Sequence, residues 1–130
     1  MSFLKKLFKS KGDAEGDDET PIALDAAARA PQLLRLEKAL DALANAMREQ
    51  EAFNNPGWRG RVNEYSVLAG EVMQLRRGPL TREALLDVVF AVRPLFHGPV
   101  PPGLEPLVPL QTEVLEAAES CRARLPGEGG

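Results

Sequence analysis

Leu33, Leu36, Leu40, Leu43 and Met47 recur at alternating spacings of three and four, and this stripe constrains the fold more than any other feature of the chain. At 3.6 residues per turn the five side chains fall on one face of a helix, with Arg35, Glu37, Lys38, Asp41 and Arg48 elsewhere around it. A one-sided helix must bury that face against other elements. Trp58, Val62, Tyr65, Ala69 and Val72 repeat the spacing, widened by Leu68 and Leu75, and Leu110, Val114, Ala117, Cys121 and Leu125 repeat it again.

The punctuation between these stripes sets the element ends. Thr20-Pro21 offers a cap and a first-turn proline for a short helix over 22–30, which a break at Ala30-Pro31 closes, because a residue before proline is pushed out of the α region. The long helix from Gln32 then ends near Phe53. Asn55-Pro56 starts the next helix, and Arg76-Arg77-Gly78-Pro79 stops it with cations, a glycine for a left-handed cap and a proline. Thr81 caps a third helix, with Leu80 and Leu85 at the offset of a hydrophobic staple. Between Ala84 and Val92 only Asp87 is polar, which predicts that this helix is the central one. It stops at Arg93-Pro94. Six of the eleven prolines fall between 94 and 109, giving a stiff crossover whose Leu95, Phe96, Val100, Leu104 and Leu107 are apolar enough to pack down. A last helix runs from Leu107 or Leu110 to Arg124. No strand of useful length is expected. The fold class is all-α: a four-helix bundle over 21–125 with one long proline-rich crossover between its third and fourth helices.

The 130 residues and 44% hydrophobic content suffice for one core without disulfides, and 5% aromatic content with abundant Leu and Ala favours helices. Beyond residue 20, twelve basic side chains face fourteen acidic ones, so the body has no broad field for nucleic acid, and nucleic acid is not an expected partner. Cys121 is the single cysteine and fits a reducing, cytoplasmic setting.

The first twenty residues differ from everything after them. Four of five lysines lie in residues 1–11, followed by Asp13, Glu15, Asp17, Asp18 and Glu19 in a linker over 12–20. At about 100° per residue, Phe3, Leu4, Leu7 and Phe8 span an arc of about 140°, with Lys5, Lys6 and Lys9 opposite. Such a peptide suits an anionic membrane surface or a groove on a partner protein, and the neighbouring acids are placed to mask it. Residues 2–9 are similar to the "F-L-K-K-L-F-K" openings of peripheral bacterial inner-membrane proteins such as the signal-recognition-particle receptor. That resemblance implies attachment at the cytoplasmic membrane face and no shared fold.

In the body, Trp58, Arg59 and Arg61 cluster at a helix start, and with Phe96 they form a candidate protein interface, since Trp and Arg dominate binding hot spots. Homo-oligomerisation through the apolar crossover is a second expectation, and Pro99 to Leu104 also suits a polyproline-binding partner. His97 is the single histidine, and with Cys121 it cannot assemble a zinc site, so no metal and no cofactor are expected. Arg93-Pro94-Leu95-Phe96-His97 resembles the arginine-to-histidine motif of HEPN-type ribonucleases, with a shorter spacing and a proline after the arginine. The expected function is a non-enzymatic protein-interaction module with a membrane-attaching N-terminal peptide. A soluble adaptor that docks through the same peptide is the alternative, and a small helical ribonuclease or nucleic-acid binder is the third.

Overall fold

The computed structural model describes residues 22–50 and 54–123. Four α-helices dominate them: α1 (Ala26–Arg48), α2 (Pro56–Arg77), α3 (Arg82–Ala91) and α4 (Val108–Ser120). Two-residue strands β1 (Ala23–Leu24) and β2 (Leu80–Thr81) pair antiparallel, Ala23 with Thr81 and Leu24 with Leu80. A 3₁₀ turn over Glu105–Leu107 leads into α4. The class is all-α, as the helical spacing predicts. The expected cap at Thr20-Pro21 lies outside the described residues, as do Arg124 and Leu125, whereas the helix expected to end near Phe53 already ends at Arg48, with Glu49 as its C-cap.

Two expectations fail at the start of the body. The segment over 22–30 is not a separate helix: its first residues form β1, and α1 starts at Ala26 behind its N-cap Asp25, whose carboxylate accepts from the Ala27 and Ala28 amides. Nor does Pro31 break the chain, because α1 continues through it. The missing N–H leaves the carbonyl four residues back, that of exposed Ala27, without its helical partner. Arg29 and Leu33 lie on the buried face on either side of the proline, so packing on both sides favours a continuous helix. The short strands are an addition that no alternation in the sequence announces.

The central element is α1, not the strongly apolar α3. Its buried residues run from Arg29 through Leu33, Leu36, Ala39, Leu40, Leu43 and Ala44 to Met47, a face wide enough to pack against both α2 and α4. By contrast, α3 is ten residues long, leans on α2, and leaves Phe90 65% exposed. Its apolar content is spread around the helix, and length and neighbours decide which helix is enclosed.

The remaining punctuation behaves as expected. Asn55 caps α2 through its side-chain oxygen, which accepts from the Gly57 and Trp58 amides. Gly78 ends that helix at φ 75°, ψ 167°, a positive-φ conformation glycine adopts freely, though extended rather than the left-handed helical cap. Thr81 Oγ1 accepts from the Ala84 amide, and Leu80 and Leu85 are both buried, which completes the staple. In the segment after α3, Leu95 and Leu107 are buried and Phe96 and Leu104 pack against the core. The Leu104 amide donates to the Pro101 carbonyl with Gly103 at φ 93°, so a turn interrupts the proline run.

Arg29 closes the far end. It is 3% exposed, and its guanidinium donates to the Cys121 carbonyl at the C-terminal end of α4 (2.8 Å) and to Gln32 Oε1 (3.1 Å). A cation on the last carbonyls of a helix complements its negative end. At the surface, Arg35 binds Glu113 bidentately (2.7 and 2.9 Å), tying α1 to α4, and Arg76 binds Glu37 (2.8 Å), tying α2 to α1.

Candidate functional site

The N-terminal candidates Phe3, Leu4, Lys5, Lys6, Leu7, Phe8 and Lys9 lie outside the described residues. The body candidates divide. Trp58 is half-buried against the core, and its indole N–H donates to the Met47 carbonyl (3.0 Å), locking the start of α2 to the end of α1. Arg59 is exposed, and its guanidinium donates to the Asn54 carbonyl (3.2 Å), back toward the helix start. Arg61 turns inward. Phe96 is half-buried, and its amide donates to Gln111 Oε1 on α4 (2.7 Å).

Arg61 belongs to a network of α2 side chains at i, i+3 and i+4: Arg61, Glu64 and Tyr65. Its Nη2 donates to the Tyr65 hydroxyl (2.7 Å) and to the Pro94 carbonyl (3.0 Å). The Tyr65 hydroxyl in turn donates to the Arg93 carbonyl (2.6 Å). Glu64 accepts two hydrogen bonds from Arg93 (3.0 and 2.8 Å). The Arg61 Nε lies 3.3 Å from Glu64, an ion pair too misaligned to be a hydrogen bond. Together these contacts pin residues 93 and 94, where α3 has ended, onto α2, while Gln111 holds Phe96 onto α4. Arg61 is therefore a strut for the segment that follows α3. An arginine near a helix N-terminus opposes the dipole, and Glu64 with two carbonyls compensates it.

Three candidates, Trp58, Arg61 and Phe96, are thus partly used inside the protein, and the sequence did not announce which. The i, i+3, i+4 spacing of Arg61, Glu64 and Tyr65 was readable, but the carbonyls of Arg93 and Pro94 are reached only through the tertiary fold. Among the described residues, the large aromatic that is exposed is Phe90 instead. Its ring carries the Arg122 guanidinium 5.5 Å from the centroid.

Electrostatics follow the same pattern. The Arg93 hydrogen bonds hold the Glu64 carboxyl below its ordinary range, opposed by partial desolvation. Since the folded value is depressed, the pair contributes stability above the unfolded carboxylate value and loses it as pH falls through the folded one. Glu64→Gln should therefore lose less stability than the unaltered chain between about pH 6 and pH 3, read by urea unfolding at both. Equal losses would show that the pair contributes nothing. Glu113, held down by Arg35, titrates in both proteins and cancels in the comparison. Burial pushes the Tyr65 phenol and the Cys121 thiol up, which keeps both neutral.

Arg93 and His97 do not share a helix: α3 ends at Ala91, Arg93 is bound to Glu64, and His97 is exposed. Among the described residues no cluster of three His, Cys, Asp or Glu could hold a metal ion, and no helix is long and apolar enough to cross a membrane. Compared with protein-family models, curated proteins and solved structures, the chain matches none.

Proposed function

We propose that this chain is a non-enzymatic protein-interaction module, a four-helix bundle that attaches reversibly to an anionic membrane surface through Phe3, Leu4, Lys5, Lys6, Leu7, Phe8 and Lys9. What supports the reading is the sequence spacing: at helical periodicity, Phe3, Leu4, Leu7 and Phe8 would fall opposite Lys5, Lys6 and Lys9. Each lysine near an anionic leaflet contributes on the order of 1 kcal/mol, and the apolar side chains add a comparable total. Ordering the peptide offsets much of this, so attachment is weak and reversible. The setting that suits it is the cytoplasmic face of the membrane.

The point of tethering supports the reading. Where the described chain begins, the Ile22 amide donates to Glu83 (3.1 Å) and the Ile22 carbonyl accepts from the Arg82 amide (2.8 Å). Ile22, the residue through which the N-terminal segment joins the body, is thus fixed beside the start of α3. The five acids in that linker favour the second reading, a soluble adaptor whose peptide docks on a protein partner, because they reduce the net attraction to lipid.

Flotation with anionic vesicles at low salt separates the two. The full chain should float, and Lys5→Glu with Lys6→Glu should weaken binding about 30-fold or more, since two lysine contributions are lost. Raised salt should act in the same direction. Absence of flotation for the unaltered chain ends the membrane reading and assigns the peptide to a protein partner.

A further inference from the structure

We infer that the outer face of α3 is an intramolecular docking surface for residues 3–9, which holds the peptide back until a competing surface displaces it. This rests on the attachment role proposed for the peptide. Glu83, Asp87 and Phe90 recur at i, i+4 and i+7 and are all exposed, so they form one outward stripe opposite buried Leu85, Val88 and Val89. An aromatic ring left mostly in water beside two carboxylates complements a peptide of aromatic, leucine and lysine residues.

Charge around the stripe is mixed. Arg122 stacks on the Phe90 ring but is itself paired with Glu119 (3.1 Å), and Arg82 flanks the helix start. The apolar contact to Phe90 therefore supplies most of the attraction, and the lysines select the end of the stripe that carries Glu83 and Asp87.

The tether makes the contact local. Glu83, the first residue of the stripe, is also the group that binds the Ile22 amide. The stripe is about 10 Å long, at a rise of about 1.5 Å per residue from Glu83 to Phe90. Twelve residues, Ser10 to Pro21, separate the peptide from Ile22, and a linker of that length has a reach of about 20 Å, enough for every point on the stripe. Such a linker gives an effective concentration in the millimolar range. A contact of millimolar affinity is then about half occupied, and an anionic surface or a partner protein displaces it readily.

The test uses the full chain with a nitroxide at Ser2→Cys, the unsubstituted chain serving as control for labelling of buried Cys121. Amides of residues 83–91 should broaden selectively, and amides on the outer side of α4 should not. Asp87→Lys with Phe90→Ser, both at exposed positions, should abolish the selective broadening and raise vesicle affinity about twofold or more. Broadening that is absent, or spread evenly over the body, overturns the inference. Broadening that appears only when labelled chain is mixed with isotope-labelled chain assigns the surface to a second copy and overturns the intramolecular assignment. Selective broadening without any vesicle binding leaves the docking intact and removes the membrane reading alone.

Discussion

Tyr65→Ala is expected to destabilise the protein by about 3–5 kcal/mol, the range for truncating a large buried aromatic. The side chain is 0% exposed, and its hydroxyl joins α2 to the chain leaving α3. Removing it empties core volume and leaves the Arg93 carbonyl and the Arg61 guanidinium short of a partner. Tyr65→Phe keeps the volume and removes the hydroxyl alone, so its cost should be about 1–2 kcal/mol. The two variants thus divide packing from polar anchoring. A domain of this size has a total stability of about 5–15 kcal/mol, so the alanine variant loses a large share of it. Urea unfolding measures both, and amide exchange locates the second effect. In Tyr65→Phe the Phe96 amide, bonded to Gln111, should exchange faster than amides in the middle of α1. An alanine variant that loses less than about 1 kcal/mol would contradict the burial of this ring.

That anchor marks the limit of what the residues disclose in order. Helix ends were legible wherever a local rule governs them: Asn55 and Thr81 as caps, Gly78 as a stop, Leu80 with Leu85 as a staple. Each depends on side chains within five positions. The failures arise where distant partners decide. Pro31 has a strong local tendency to end a helix, yet Arg29 before it reaches Cys121, ninety-two positions away, and keeps α1 intact. Ala23 and Leu24 have no strand pattern and become one by meeting Leu80 and Thr81. Trp58 falls on the apolar stripe of its helix and packs against the core, but its bond to the Met47 carbonyl, and those of Arg61 and Tyr65 to the Pro94 and Arg93 carbonyls, depend on partners distant in sequence. Phe90 reads the other way: its apolar neighbours in sequence imply burial, and the shortness of α3 leaves it in water.

Leu40→Ala should cost about 3–4 kcal/mol, near the middle of the range for buried leucines. Leu40 is 0% exposed on α1, with Leu36 and Leu43 fully buried on the same face. Because α1 packs against α2 on one side and α4 on the other, few neighbours can close a cavity there without breaking contact elsewhere. Phe90→Ser on α3, despite removing a larger apolar group, should change stability by about 0.5 kcal/mol or less, since the ring already faces water. The ratio between the two decides which helix is enclosed. If the apolar composition of α3 made it the centre of the fold, Phe90→Ser would be the more damaging substitution and Leu40→Ala the milder. Urea unfolding of the two variants under one condition gives the order directly, and a reversed order would move the core from α1 to α3.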